Sequence, residues 1–190
     1  MSNQPPIEVP QGAIRFNTDS QKLEFYAQDQ WHEMDTSVTN LDGGARGTFT
    51  GGEPSISNNM DYITIGSAGN AIDFGNLSST YRESAGCSNG TRGVFNVGSP
   101  ASDAINTMEY ITIASTGDTT DFGDLFYAVA NAGGTSNGTR GVFGGGSGAA
   151  YTNTIQYITI ATTGNAADFG ELTFTRITYS ATSDSHGGLS

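Results

Sequence analysis

The residue types that most often perform catalysis are scarce in this chain. Asp184, Ser185 and His186 stand side by side near the end of the sequence, and these are the three types found in a hydrolase triad. Neighbouring residues of an extended segment point to opposite sides, so these three cannot converge. His32 follows Trp31 and has no cysteine or second histidine near it in sequence, which favours packing over metal binding. We predict no catalytic residue and no enzymatic activity.

Oxygen-bearing side chains recur at every third position in three places. In the middle place they are Asp118, Asp121 and Asp124. Such a spacing could converge on a calcium ion, but it has neither the order of an EF-hand loop nor that of a nonapeptide repeat. A solvated turn that discourages pairing with other sheets is the favoured interpretation, with calcium as the alternative, and we predict no cofactor. The corresponding residues of the other two places are Asn70, Asp73, Asn76 and Asn165, Asp168, Glu171.

The tripeptide Asp-Phe-Gly begins at Asp73, Asp121 and Asp168. In protein kinases this tripeptide binds magnesium, but kinases also need a glycine-rich nucleotide loop, a strand lysine and a His-Arg-Asp motif. None of these accompanies it, and the glycine run at 144–148 lacks the Gly-Lys-Ser/Thr of a phosphate loop. A structural role follows, in which the phenylalanine fills the space between neighbouring sheets and the glycine permits a turn. The phenylalanines are Phe74, Phe122 and Phe169.

Three arginines precede predicted strands in the phrase Arg-Gly-x-Phe. They are Arg46, Arg92 and Arg140, and the phrase ends at Phe49, Phe95 and Phe143. Because each arginine shares a repeat with an Asp-Phe-Gly aspartate, we predict ion pairs with Asp73, Asp121 and Asp168. The alternative places the arginines at an open surface, where they would bind an acidic glycan.

These phrases belong to a repeat of about 47 residues. Tyr-Ile-Thr-Ile begins at Tyr62, Tyr110 and Tyr157, with spacings of 48 and 47 residues. The arginines are spaced by 46 and 48 residues and the aspartates by 48 and 47. Three copies in one register indicate a repeat architecture.

Each copy contains short strand signals and no amphipathic helix. In the middle copy they cover residues 85–88, 93–97, 109–114 and 120–125. Asn89-Gly90 and Asn137-Gly138 stand between strand candidates, a pattern that predicts a hairpin with a type I′ turn. Four short antiparallel strands at this period are typical of a β-propeller blade. The predicted fold is therefore all-β, with an N-terminal module at 1–40 and repeats at 41–190, divided into 41–84, 85–131, 132–177 and a terminal strand and tail at 178–190.

Composition excludes several classes of partner. The net charge is −12, and Lys22 is the only lysine among seven cationic residues. A protein that neutralises nucleic-acid phosphates or anionic lipids needs the opposite sign, so neither partner is expected. No apolar run approaches the roughly 18 to 20 residues of a membrane span, and no export signal is recognised, so membrane insertion is not expected. Cys87 is the single cysteine, which we expect to be a buried filler.

The wording of the repeats resembles two known groups of sequences. Gly-Val-Phe-Gly-Gly-Gly at 141–146, followed by Ile-Gln-Tyr-Ile-Thr-Ile at 155–160, is similar to a kelch blade, although the tryptophan of that motif is absent. The longer phrase from Tyr-Ile-Thr-Ile through Asp-Phe-Gly-x-Leu to Ser-Asn-Gly-Thr-Arg-Gly-Val-Phe resembles repeats in structural proteins of tailed bacteriophages, notably those of marine bacteria and cyanobacteria. The resemblance covers about residues 41–190 and implies a kelch-like propeller in a virion protein.

The N-terminal segment resembles a module of phage fibres and appendages. Gly-Ala-Ile-Arg-Phe-Asn-Thr at 12–18, Leu-Glu-Phe-Tyr at 23–26 and a later tryptophan carry the likeness, which covers residues 7–35. It implies attachment to other virion proteins and trimer formation. The residues alone predict a β-hairpin, which at this size must pack on something else. We expect its apolar face to mediate oligomerisation through Ile14, Phe16, Leu23, Phe25 and Trp31.

Three blades are too few to close a propeller, so completion between subunits is expected, with a trimer favoured over a dimer. The predicted function is that of a virion structural protein of a tailed phage, a short fibre or appendage that contacts host surface glycan by multivalent binding. Loops at 53–59, 99–106 and 146–154 differ between copies and would carry recognition. One alternative is a purely architectural capsid, neck or tail decoration. A glycan depolymerase is the other, and it requires a pair of carboxylates in a groove.

Overall fold

A computed structural model describes residues 9–19, 22–34, 45–54, 56–100 and 103–183. All regular secondary structure in these ranges is β, which confirms the all-β prediction, and no helix there is suited in length and hydrophobicity to crossing a membrane. The chain divides into two compact units, Met1–Leu41 and Asp42–Ser190. The strands are β1 Ile14–Asn17, β2 Lys22–Ala27, β3 Gln30–Glu33, β4 Arg46–Thr50, β5 Ser57–Thr64, β6 Ile72–Tyr81, β7 Ala85–Ser88, β8 Arg92–Asn96, β9 Thr107–Thr112, β10 Thr120–Asp124, β11 Gly133–Ser136, β12 Arg140–Gly144, β13 Thr154–Thr159 and β14 Ala167–Glu171.

The first unit contains a three-stranded antiparallel sheet of β1, β2 and β3, which we call the N-terminal sheet. The predicted single hairpin is therefore corrected to a meander, because the segment around Trp31 pairs with β2 as a third strand. The β2–β3 loop has two residues, Gln28 and Asp29, with φ of 51° and 62°. Positive φ at both central residues is what a type I′ hairpin requires.

The second unit contains three sheets that follow the sequence repeat. Repeat sheet 1 consists of β4, β5 and β6, repeat sheet 2 of β7 to β10, and repeat sheet 3 of β11 to β14, each an antiparallel meander. The four strands of repeat sheet 2 lie within two residues of their predicted bounds. A fourth strand in the first copy would precede β4, and residues 35–44 lie outside the described residues.

The Asn-Gly hairpins form where predicted, but the turn type is wrong. Asn89 and Asn137 do not have positive φ, which type I′ demands. Their side chains close the loops instead. Asn89 Oδ1 accepts hydrogen bonds from the backbone N–H of Thr91 at 3.0 Å and of Arg92 at 2.8 Å, and Asn137 does the same for Thr139 and Arg140. An Asx turn thus replaces the backbone geometry that the dipeptide suggested.

Adjacent repeat sheets pack through a buried apolar layer. Each sheet has a forward face, which carries its Tyr-Ile-Thr-Ile tyrosine and Asp-Phe-Gly phenylalanine, and a rear face, which carries its Arg-Gly-x-Phe phenylalanine and the isoleucines. The forward face of sheet 1 meets the rear face of sheet 2, and the forward face of sheet 2 meets the rear face of sheet 3. The first layer contains Met60, Phe74, Leu77, Phe95 and Ile111, and the second contains Val94, Met108, Phe122, Leu125, Phe143, Ile158 and Ile160.

The described end of the chain continues the repeat without forming the predicted terminal strand. Residues 184–190 lie outside the described residues, and residues 178–183 are not a strand, which corrects the prediction for this part of the segment. Their contacts nevertheless repeat those of earlier copies. Ser183 Oγ donates to Ser136 O at 2.6 Å as Ser136 Oγ donates to Ser88 O at 2.7 Å. The segment thus lies beside β11 as β11 lies beside β7.

Candidate functional site

The repeated polar and aromatic residues form the same three-part cluster on each forward face. Each arginine packs over its tyrosine, with the guanidinium carbon 4.5, 4.3 and 4.5 Å from the ring centroid at Arg46, Arg92 and Arg140. The tyrosine then meets the Asp-Phe-Gly phenylalanine edge to face, at centroid distances of 5.9, 6.0 and 5.9 Å. Both geometries are favourable electrostatically. The clusters are Arg46–Tyr62–Phe74, Arg92–Tyr110–Phe122 and Arg140–Tyr157–Phe169.

Two of the arginines also join one repeat sheet to the next. Arg46 Nη1 donates to Ile113 O, and Arg92 Nη1 donates to Ile160 O, each at 2.9 Å. Across the described residues no ion pair joins the arginines to Asp73, Asp121 or Asp168, which corrects that prediction. The aspartates lie exposed, so the guanidinium gains more from the ring and a carbonyl than from a solvated carboxylate.

A second set of bonds connects the outer parts of adjacent sheets. Gly117 N–H donates to Phe74 O, and Gly164 N–H donates to Phe122 O, both at 2.7 Å. One step further, Thr119 N–H donates to Asn76 O at 2.9 Å and Ala166 N–H to Asp124 O at 2.8 Å. The chain of one sheet thereby bonds directly to the loop that precedes the last strand of the next.

Side-chain oxygens of the every-third-residue spacing take part in the same junction. Asp118 Oδ1 accepts from Asn76 N–H at 2.9 Å, and Asn165 Oδ1 accepts from Asp124 N–H at 3.0 Å. These two side-chain oxygens therefore form hydrogen bonds between sheets. Within the described ranges no three His, Cys, Asp or Glu side chains gather as metal ligands.

The Asp-Phe-Gly glycines allow this close approach. Gly75 has φ of 144° and Gly123 has φ of 133°, and a methyl group at either would overlap the backbone of Gly117 or of Gly164. Gly170 has the same kind of φ, 137°, yet nothing lies within 4 Å of its missing methyl. The third copy is thus built for a junction that no described residue completes.

Two of the buried polar residues between the sheets, Glu109 and Gln156, were not predicted from the sequence. The Glu109 carboxylate accepts from Ser78 N–H at 3.1 Å and also from the Ser78 and Thr119 hydroxyls. In the next copy Gln156 accepts from Tyr127 N–H at 2.8 Å and donates to Tyr127 O at 3.3 Å. Both face toward the preceding sheet, one residue before the repeated tyrosine. That fixed position, polar in every copy, is the signal that could have found them.

The outermost faces of the repeat unit are covered by no described sheet, although residues 176–179 pack along β11 and β12 on the forward face of sheet 3. On the rear face of sheet 1, Phe49 is 57% exposed and Ile65 is 65% exposed, whereas their counterparts in sheets 2 and 3 pack against the preceding sheet. On the forward face of sheet 3, Phe169 is 50% exposed, whereas Phe74 and Phe122 are buried. These exposed apolar side chains make the two faces candidates for an interaction surface.

The N-terminal sheet divides the five predicted oligomerisation residues between its faces. Ile14 lies opposite Phe25 and Phe16 opposite Leu23, so these four share one face. Trp31 lies opposite Tyr26 on the other face, which corrects its predicted place, because it belongs to a third strand. Ile14 is 61% and Phe16 58% exposed, so the first face is open.

The other face of the N-terminal sheet carries an ion pair and hydrogen bonds centred on Glu24. Arg15 Nε donates to Glu24 at 2.7 Å and Asn17 donates to it at 2.8 Å. These hydrogen bonds, that of Asn17 foremost, hold the pKa of Glu24 below its ordinary value. The Arg15 guanidinium carbon also lies 4.1 Å from the Trp31 ring centroid.

On the first face, the face of Phe25, the His32 ring stacks on Phe25 with the ring centroids 5.3 Å apart. His32 therefore packs as predicted from its sequence context.

A cleft of about 350 Å³ is lined by residues of all three repeat sheets. Its walls come from β4, β7, β8, β11, Ile113 and residues 181–183. Cys87 borders it but is buried, and this burial raises the pKa of its thiol to about 12. The predicted role of Cys87 as a buried filler is confirmed.

Other candidate positions lie at the surface or outside the described ranges. Asp184, Ser185 and His186 are outside the described residues, as are parts of the 53–59 and 99–106 loops. In the 146–154 loop, Tyr151 is exposed. Compared with models of known families and with curated proteins, the chain matches no family model and no curated protein.

Proposed function

We propose that the chain is a virion structural protein of a tailed phage, a short fibre or appendage that contacts the host surface by multivalent binding. The observation that carries this proposal is that the repeated side chains form structural contacts, so they leave recognition to the loops. Arg46, Arg92, their tyrosines and the Asp-Phe-Gly phenylalanines all build contacts within and between sheets. What differs between copies is the loops, and varied loops on a repeated scaffold are suited to recognition.

Completion of a kelch-like propeller between subunits is part of the same proposal. Three repeat sheets packed forward face to rear face leave one face of each kind without a described sheet against it. Copies of the chain arranged with cyclic symmetry would cover both faces and present every loop several times. Weak binding at each loop would then add up through effective concentration.

The N-terminal sheet would bring the copies together and attach them to other virion proteins. Its open face of Ile14, Phe16, Leu23 and Phe25 supports this role, because a small sheet gains stability by packing its apolar face on another chain. A trimer is the favoured state, as the resemblance of this segment implies.

The function is tested with the purified full chain against marine bacterial and cyanobacterial cells and their isolated surface polysaccharides. We expect saturable binding that weakens for the Tyr151→Ala variant and not for Phe126→Ala, which removes an exposed aromatic residue of the repeats outside the three variable loops. Binding to none of the cells or polysaccharides, by chain or by virions that contain it, would support a purely architectural role. Release of reducing ends from the polysaccharide would indicate a depolymerase.

A further inference from the structure

We infer that the forward face of repeat sheet 3 binds the rear face of repeat sheet 1 in a second copy of this chain. The interface would reproduce the junctions between sheets 1 and 2 and between sheets 2 and 3. The inference rests on the proposed function for the expectation that the chain assembles with itself, and it adds which surfaces meet and through which atoms.

The apolar parts of the two uncovered faces correspond residue by residue to buried ones. At the two internal junctions Phe74 and Phe122 pack against the next sheet, where Phe95 and Phe143 receive them. The counterparts at the ends are Phe169 on sheet 3 and Phe49 on sheet 1. Both are half exposed or more, at 50% and 57%. Each end therefore carries the half of a junction that the other end lacks.

The arginines give the interface a polar contact. Arg46 and Arg92 donate to the carbonyl oxygens of Ile113 and Ile160, the last isoleucines of Tyr-Ile-Thr-Ile in the following sheet. Arg140 holds the same place over Tyr157, but no described residue of its own chain offers it the corresponding carbonyl. The equivalent carbonyl belongs to Ile65, on the uncovered rear face. Arg140 would donate to Ile65 O of the second copy.

The outer strand supplies backbone bonds in the same register. Gly117 and Gly164 donate to Phe74 O and Phe122 O, and the equivalent pair is Gly69 of the second copy and Phe169. Asp118 and Asn165 accept from the N–H groups of Asn76 and Asp124. The equivalent acceptor and donor are Asn70 of the second copy and Glu171. The backbone of the next sheet fills the space beside Gly75 and Gly123, whereas the space beside Gly170 is open. The second copy could therefore approach Gly170 in the same way.

The end of the described chain leads toward the same place. Asn131 N–H donates to Glu83 O at 2.9 Å, and Thr178 N–H donates to Asn131 O at 3.3 Å, one repeat later. All three residues have left-handed φ, between 54° and 61°. The backbone therefore enters a fourth repeat in the geometry of the earlier ones, and a second copy would supply the sheet that belongs there.

This interface joins two different surfaces, so it is heterologous. Such contacts produce a closed ring when the rotation between copies closes and a filament when it does not. In a symmetric dimer formed by two like faces, Phe169 would not meet Phe49 of the second copy. Arg140 would not reach Ile65 O either.

An engineered disulfide tests the interface in the full chain. The Glu171→Cys, Asn70→Cys double variant places thiols at the predicted junction between copies. The Asn76→Cys, Asp118→Cys double variant is the matched control, because the same two positions lie across the internal junction, where the Asn76 amide and the Asp118 carboxylate are 3.4 Å apart. Cys87 is buried with a raised pKa and should not interfere.

After mild oxidation and denaturation we expect the first double variant to run as covalently linked multimers and the control as a monomer with an internal disulfide. The largest closed species would report the number of copies in a ring. If the first double variant stays monomeric while the control forms its disulfide, the interface does not exist.

Single variants distinguish a heterologous interface from a symmetric one. Neither Glu171→Cys nor Asn70→Cys alone should cross-link, whereas an equal mixture should give a dimer that contains one chain of each. Cross-linking of either variant with itself would overturn the inference. Because only purified chain is used, the outcome is independent of whether the protein binds a host surface.

Discussion

Phe122 and Phe169 occupy the same place in consecutive repeats and contact equivalent tyrosines, yet their surroundings differ. Phe122 is 2% exposed because repeat sheet 3 covers it, and Phe169 is 50% exposed because no described sheet covers it. The same residue in the same motif is therefore a buried core residue in one copy and a half-exposed residue in another.

Truncation of Phe122 should destabilise the repeat unit strongly. Phe122→Ala removes a buried ring between two sheets, and such changes cost about 3 to 5 kcal/mol in free energy of unfolding. Phe126→Ala removes a ring that is mostly exposed and should cost less than about 1 kcal/mol. Urea unfolding followed by circular dichroism compares the two. Equal losses would mean that Phe122 is not part of the inter-sheet core.

Cys87 should be inert toward thiol reagents in the native protein. Its side chain is buried, and its pKa of about 12 leaves almost no thiolate at neutral pH. We expect no reaction with Ellman's reagent until urea unfolds the chain, and one thiol per chain afterwards. Rapid reaction of the native protein would contradict the packing of Cys87 against the second apolar layer.

At the scale of elements, the repeat sheets are joined where a glycine allows two backbones to touch. Gly123 and Gly170 share nearly the same φ, but only Gly123 has a backbone against it. One pair of substitutions can therefore separate two free-energy costs. One is the backbone strain of a non-glycine residue at this φ, and the other is the steric overlap with a neighbouring backbone.

Gly123→Ala should cost more than Gly170→Ala. Both variants pay about 1 to 3 kcal/mol for a non-glycine residue at this φ. Gly123→Ala must also displace the backbone at Gly164, which opens the junction between sheets 2 and 3. Free energies of unfolding are compared under conditions where the chain is monomeric. A smaller loss for Gly123→Ala would show that sheets 2 and 3 do not approach here.

The N-terminal sheet should lose stability in acid. Asn17 and Arg15 favour the ionised form of Glu24, so its pKa in the folded sheet lies below the ordinary value of 4.5. Stability from this lowered pKa is complete above the unfolded value and is lost as the pH falls through the folded one. Fluorescence of Trp31, the only tryptophan, reports this sheet. Glu24→Gln should be less stable at neutral pH and show a weaker acid transition. An unchanged transition would mean that Glu24 does not hold the sheet.

On the scale of the whole molecule, a single copy exposes apolar side chains on three of its sheet faces. The face of Ile14 and Phe16 and the two outer repeat faces lie in separate compact units. With a net charge of −12, copies of the chain repel one another at long range, so the association that we propose depends on these specific apolar faces rather than on general attraction.

Native mass measurement should find three copies of the 19.7 kDa chain. A charge on the open face of the N-terminal sheet, as in Phe16→Asp, should reduce the mass or make it depend on concentration, because the buried carboxylate would have no partner. Thr18→Asp adds the same charge at an exposed turn and should leave the mass unchanged. A dimer for the native chain would contradict the trimer and make two copies the unit of assembly.

The repeat, its strands and its recurring arginine, tyrosine and phenylalanine residues could all be predicted from local sequence features. Spacings of 46 to 48 residues, β-branched tetrapeptides and Asn-Gly loops are local features, and local features were enough to locate the four strands of repeat sheet 2 to within two residues. The apolar face of the N-terminal segment could also be predicted, except at Trp31, which a two-residue turn moved into a third strand.

The contacts of the repeated residues could not be predicted in this way, because they depend on how the sheets pack. Opposite charges in one repeat predicted that Arg92 would pair with Asp121, but packing placed the guanidinium over Tyr110 and beside Ile160 O of the next sheet. The partner lies 68 residues away in sequence, and no local pattern specifies it. The same holds for Phe169 and Phe49, whose exposure depends on the sheet that stands, or does not stand, in front of them. Burial is a property of neighbours, and neighbours are set by the fold.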